Sequence, residues 1–148
     1  MLINTQNINE AKRKIKEAMQ KKERAIVVGQ NEDFNRKILE IKGVDTLILG
    51  DSLEKDYMKQ RNSGLNEILC KIATKNSIKI GINLSFVSKN KKELAINLAR
   101  LIQNIYLCKK TNTKLIFLGG KDKKALQSLL IILGASTKQA LGSVQESF

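Results

Sequence analysis

The chain has no histidine, no proline and no tryptophan in 148 residues. Without an imidazole it cannot assemble a Ser-His-Asp triad, a Cys-His nucleophile pair or a histidine-ligated metal site. Lone carboxylates remain, but most alternate with lysines as on solvated helix faces. Without proline, turns fall to glycine and asparagine. Aromatic residues make up only 4% of the chain, four Phe and two Tyr. Most lie on apolar stripes, leaving Tyr57, Phe86 and Phe148 as surface aromatics, which argues against readout of single strands by base stacking. No apolar run approaches the ~20 residues needed to span a bilayer. Met1-Leu2-Ile3-Asn4 carries no basic leader, so the expectation is a soluble, cytoplasmic protein with no membrane partner. The two cysteines, Cys70 and Cys108, fall in predicted helices and read as small buried hydrophobes rather than as a disulfide or a metal site.

What the chain has in excess is positive charge. Twenty-seven basic residues against 14 acidic ones give a net charge of +13. A surplus of this size points to an anionic polymer such as nucleic acid, with a purely solubilising surface as the alternative. The length suits one domain spanning residues 1–148, and 42% hydrophobic residues supply its core.

Two periodicities alternate along the sequence. Leu2–Thr5 reads as a short strand, followed by a helix capped by Asn7 with Glu10 as the capping-box partner. Arg24–Gly29 is an apolar strand, Glu32–Lys42 a helix stopped by Gly43, and Asp45–Leu49 the next strand. A polar segment, residues 51–62, precedes a helix over 63–76. That helix has Ser63 as its cap, an apolar stripe of Leu65, Ile68, Leu69, Ile72 and Ala73, and Asn76 in the left-handed terminal position. The period then switches to two, with Ile78, Ile80, Ile82 and Leu84 on one side and Lys79, Gly81 and Asn83 on the other. A loop over 86–90 leads into a long helix, Lys91–Lys110, with Leu94, Leu98, Leu101, Ile102 and Ile105 inward. Lys114–Leu118 is the last strand, closed by Gly119-Gly120. A helix through Leu126, Leu129, Leu130 and Leu133 follows, then a short final one boxed by Ser136 and Gln139. Five mostly apolar strands alternating with helices predict an α/β fold of parallel βα repeats.

In such folds the loops after the strands gather on one face and carry the site. Here those loops are basic. The first holds Lys55, Lys59 and Arg61, the second Lys89, Lys91 and Lys92, and the third, G-G-K-D-K-K, places Lys121, Lys123 and Lys124 at a helix start. The third lacks the phosphate-loop pattern, which argues against a nucleotide site. Cations at a helix N-terminus oppose the macrodipole, a conflict that an RNA phosphate relieves, with an ordinary solvated lysine run as the alternative. Asn83, at the carboxyl end of a buried strand, reads either as part of this face or as an interior amide bonded to its neighbours. The lysines of the first helix read as a solvated outer face.

The order of several segments resembles the ribonuclease P protein component 3 family, the archaeal counterpart of the thirty-kilodalton subunit of the eukaryotic enzyme. V-D-T-L-I-L at Val44–Leu49, R-N-S-G-L-N-E-I-L-C-K-I-A-T-K-N at Arg61–Asn76 and I-G-I-N-L-S at Ile80–Ser85 are each similar to family segments. So are the helix ending L-C-K-K-T-N, the strand K-L-I-F-L-G-G, and L-Q-S-L-L-I-I-L-G-A. The family is TIM-barrel-like and longer. The resemblance therefore implies an incomplete or open barrel of about five strands that begins at the family's third, its edges covered by a helix, by self-association or by a partner. Where the family has Asp-His after Ser-Gly, this chain has Asn66 and Glu67, and Gly81 replaces a strand glutamate while Asn83 is kept.

The resemblance implies a non-catalytic subunit of the endoribonuclease that removes 5′ leaders from precursor tRNA. Its partners would be the ribonuclease P RNA, precursor tRNA in the holoenzyme and a smaller protein subunit. The protein would bind no cofactor, and divalent metal would sit on the RNA. The candidate phosphate contacts are Arg61, Lys89, Lys91, Lys92, Lys121, Lys123 and Lys124, with Asn83 supporting the loop face. Two alternatives stay open: a metal-dependent phosphoesterase using carboxylates such as Asp45 and Asp51, and a general RNA chaperone.

Overall fold

In the computed structural model, residues 1–49, 55–83 and 90–145 are described. Five strands alternate with helices in chain order: β1 (Leu2–Ile3), α1 (Ile8–Gln20), β2 (Ala25–Val28), α2 (Glu32–Leu39), β3 (Val44–Leu49), α3 (Glu67–Lys75), β4 (Lys79–Asn83), α4 (Lys91–Thr111), β5 (Leu115–Leu118), α5 (Lys123–Ile132) and α6 (Thr137–Gln145). All four strand pairings are parallel, and the order across the sheet is the order along the chain. With right-handed crossovers, that order lays the connecting helices on one face, as in a barrel wall. The sheet is the open, TIM-barrel-like array that the resemblance implies.

One row of residues in register, Ile3, Val27, Leu47, Ile80 and Leu115, faces the helices. It is buried in one cluster with Ala11, Ile15, Ile38, Leu69, Ile105 and Leu130. The alternate row, Val28, Ile48, Gly81 and Ile116, lies on the opposite, inner face. Gly81 is closely walled there. A Cβ on it would come within 3.2 Å of both Ile48 Cγ1 and Thr46 Cγ2. Restoring the family's glutamate, Gly81→Glu, is therefore expected to destabilise the fold by ~3 kcal/mol or more, through overpacking and a desolvated carboxylate. Urea unfolding checks this; an unchanged midpoint would show that the inner face yields.

Local expectations are corrected in several places. Asn7 caps α1 as expected, its Oδ1 accepting from Asn9 N–H at 2.9 Å and Glu10 N–H at 3.3 Å, but the return half of the box runs through a relay: Asn7 N–H donates to Thr5 Oγ1 at 3.2 Å, and the Thr5 hydroxyl donates to Glu10 at 2.6 Å. The box at Ser136 and Gln139 does form, with reciprocal bonds of 3.1 and 3.4 Å. Ser63 does not cap α3. Gly64, at φ +76°, turns the chain first, and Asn66 caps the helix by accepting from Leu69 N–H at 2.9 Å. The left-handed position after α3 belongs to Ser77 rather than Asn76, whose amide instead donates to Leu39 O at 2.7 Å. Because α3 starts later and turns differently, Cys70 points inward and Ile68 is 61% exposed. In α4, Ile102 likewise lies outward at 45% exposure, while polar Arg100 and Asn104 are buried.

Candidate nucleic-acid interface

Parallel strands send every β-to-α loop to the same end of the sheet, so the three basic loops share one rim by topology. Lys121, Lys123 and Lys124 are all exposed there. The chain turns at Gly119, φ +94°, and Asp122 caps α5 by accepting from Ala125 N–H at 3.1 Å. The first turn of α5 carries no acidic residue, so two lysines stand on the positive end of its dipole. Asn83 is paired in register with Leu118, and its Oδ1 lies 3.9 Å from where a Gly119 Cβ would sit. The structure thus brings Asn83 against the glycine turn of the third loop.

Lys91 and Lys92 are exposed in the first turn of α4, which Asn90 caps through Glu93 N–H at 2.9 Å. Twenty-one residues make α4 roughly 31 Å long, against roughly 13 Å for the four residues of β5. Its first turns therefore stand beyond the strand ends and carry these lysines outward. Lys89 lies outside the described residues, as do Phe86, Phe148 and Asp51.

Arg61 has a different setting from a bare phosphate ligand. Its guanidinium meets Asp56 at 2.9 Å, and its backbone N–H and C=O are both held by the Gln103 amide, at 2.8 and 3.0 Å. Asp56 also accepts from Asn62 N–H at 2.8 Å and from Arg100 Nε at 3.1 Å. Ser63 donates to Asn104 Oδ1 at 2.7 Å. The irregular segment over 55–66 is thus tied to one face of α4 by Arg100, Gln103 and Asn104. Burial alone would push the Asp56 carboxyl up; the bonds from Arg61, Asn62 N–H and Arg100 outweigh it and hold it below the usual range.

A second buried amide, Asn35 of α2, accepts from Gln30 N–H at 2.8 Å and donates to Gly64 O at 2.8 Å, joining the loops after β2 and β3. The sequence reading missed both the Asp56 and the Asn35 networks. Their signal was a set of polar residues at helix-facing positions: Asn35 beside Phe34 and Ile38, and Arg100, Gln103 and Asn104 at i, i+3 and i+4. Tyr57 is exposed as expected, and Tyr106, unanticipated, is 61% exposed.

Of the two carboxylates of the phosphoesterase alternative, Asp51 lies outside the described residues and Asp45 is not on this rim. Asp45 lies near the start of β3, at the other end of the strand, bonded to the Thr46 hydroxyl at 2.8 Å and facing Lys79 at 3.6 Å. Among the described residues, no group of three or more Cys, Asp or Glu is placed to hold a metal ion. No helix among them is long and apolar enough to cross a membrane.

The fold and this rim define a class: an open, TIM-barrel-like α/β array with a basic loop face. Within that class the chain is similar to ribonuclease P protein component 3. It is 29% identical over 117 residues to that protein from Methanococcus vannielii, covering 78% of this chain and 48% of the relative. Against the protein of the same name from Methanococcus maripaludis it is 26% identical over 121 residues, covering 81% of this chain and 50% of the relative. The chain thus spans about half the length of the curated relatives it matches. A chain in the cryo-EM structure of an archaeal ribonuclease P with mature tRNA superposes with a TM-score of 0.77 at 21% identity, over 95% of this chain and 62% of that one. A prolidase complexed with N-methylphosphonate-L-proline matches at TM-score 0.64 and 12% identity, over 93% of this chain and 35% of the prolidase. These structural likenesses establish the fold. No protein-family model matches the chain.

Proposed function

We propose that the chain acts as a protein subunit of ribonuclease P, binding and stabilising the catalytic RNA together with a smaller protein partner. The supporting observation is its similarity to two component 3 proteins over about four-fifths of its length. In this reading the protein is non-catalytic, works in the cytoplasm and binds no cofactor of its own. The RNA carries the divalent metal that cleaves precursor tRNA. Lys91, Lys92, Lys121, Lys123 and Lys124 hold phosphates, joined by Lys89. Arg61 shares its charge between Asp56 and the RNA, and Asn83 braces the third loop.

Affinity purification of the tagged chain from its native cell, with sequencing of bound RNA and identification of co-purifying proteins, tests this reading. Recovery of the ribonuclease P RNA and a small protein subunit is expected. Their absence, or cleavage of RNA by the purified protein alone, would overturn it.

A further inference from the structure

The basic rim takes up one end of the sheet, and a second group of cations lies at the other. There α4 ends and β5 begins. Asn112, left-handed at φ +56°, stops α4 with its N–H on Cys108 O, and Thr113 N–H takes the same carbonyl at 2.9 Å. The chain reverses, so that Lys114 and Lys109 border one cleft. α6 starts at this end too, and Gln139 Nε2 fastens its first turn to α4 by donating to Ile105 O at 3.2 Å. Lys138, in that turn, is the third cation on the cleft, whose volume is about 330 Å³ and whose buried walls include Cys108 and Leu115.

All three lysines are exposed, and none of the described lining residues is acidic. The contrast with Lys110, the next residue along α4, is direct: it is paired with Glu67 at 2.8 Å. The first turn of α6 carries no acidic residue either. Its opening amides, those of Thr137 and Lys138, have no carbonyl of their own helix to bond. Three positive side chains, two amide donors and the positive end of a helix dipole therefore meet at a small cleft without a countercharge.

We propose that this cleft is a phosphate-binding site, separate from the basic rim, that takes a phosphate ester. Lysine suits that anion as a point charge, and the α6 amides add directional donors. The volume is at the small end of ligand clefts, which suits a single phosphate with its substituent and excludes a duplex. Because β5 is roughly 13 Å long, one phosphate cannot touch both Lys114 and Lys121. The phosphate belongs either to a small free ester or to a single-stranded RNA backbone, and the chemistry of recognition is the same.

The test is an amide-shift titration of the full, isotope-labelled chain with two probes, inorganic phosphate and a short oligouridylate, each set against sodium chloride at matched ionic strength. Saturable shifts are expected at the amides of Asn112, Lys114, Lys138 and Gln139. Saturation by inorganic phosphate identifies a site for a free ester; saturation by the oligouridylate alone identifies a site for RNA backbone. Replacing Lys109→Gln together with Lys138→Gln, which leaves Lys114 in place, should weaken binding about ten-fold or more, the cost of losing one charge-assisted bond. Absence of these shifts with both probes would overturn the proposal. So would equal shifts in chloride, or undiminished binding in the double variant. Neither probe is ribonuclease P RNA, so this inference and the proposed function fail separately.

Discussion

Replacing Lys121, Lys123 and Lys124 together with glutamate is expected to leave the fold intact and to cost about 500-fold in affinity for ribonuclease P RNA at 0.1 M salt. The figure comes from counterion release: each lost phosphate contact removes roughly 0.9 of a decade at that salt, so three remove ~2.7. The plot of log affinity against log salt should flatten by the same ~2.7, which a general loss of protein stability would not do. Wild-type protein touching six to ten phosphates should itself lose ~10³–10⁵-fold between 50 and 200 mM salt. All three lysines are exposed, and the Asp122 cap is untouched by the changes. Glutamates in the first turn of α5 suit its dipole better than lysines do, so thermal stability should hold or rise. Filter binding across a salt series checks the prediction. An unchanged slope would remove these lysines from the interface.

Asp56→Ala is expected to destabilise the protein by ~2–4 kcal/mol, a large share of the usual net stability of a small domain. The cost arises chiefly at Arg100, which is only 8% exposed and would lose a charged partner. Arg61 pairs with the same carboxylate from a half-exposed position, so Arg61→Ala should cost no more than ~1 kcal/mol. Urea unfolding of both variants separates the contributions; equal costs would mean that burial at Arg100 is not the cause. The same carboxylate sets an acid limit. Its native pKa is lowered, so its contribution is complete above the ordinary value of 3.8 and is lost as pH falls below that through the lowered native value. Between pH 5 and pH 3 the wild type should lose more stability than Asp56→Asn, whose side chain does not titrate.

Hydrophobic period made the framework legible. The continuous apolar runs at Ala25–Val28 and Leu115–Leu118 could only be strands covered on both faces, and glycine or asparagine marked their ends. The alternation of Ile80 and Ile82 with Gly81 and Asn83 gave the facing of β4 correctly. The start of α3 was misplaced because its signal was shared among Ser63, Asn66 and the intervening glycine, and only the backbone turn at Gly64 decides among them. Arg100 and Asn104 were passed over because a period search counts apolar residues, whereas these two earn burial through partners forty residues away in sequence. The exposed lysines at the starts of α4 and α5 could be placed at one end of the sheet from topology alone. The engagement of Arg61 with Asp56 could not, since it depends on the path of an irregular segment.

The order of the sheet also bears on how the chain folds as it is made. Each strand lies beside the one synthesised just before it, so none must wait for a distant segment to emerge from the ribosome. Every new βα unit can dock on a finished edge and present its own edge to the next. β1, only two residues long, finds its ladder partner in β2, which pairs with it in parallel through Leu2 with Ile26 and Ile3 with Val27, so it is secured when the next strand forms.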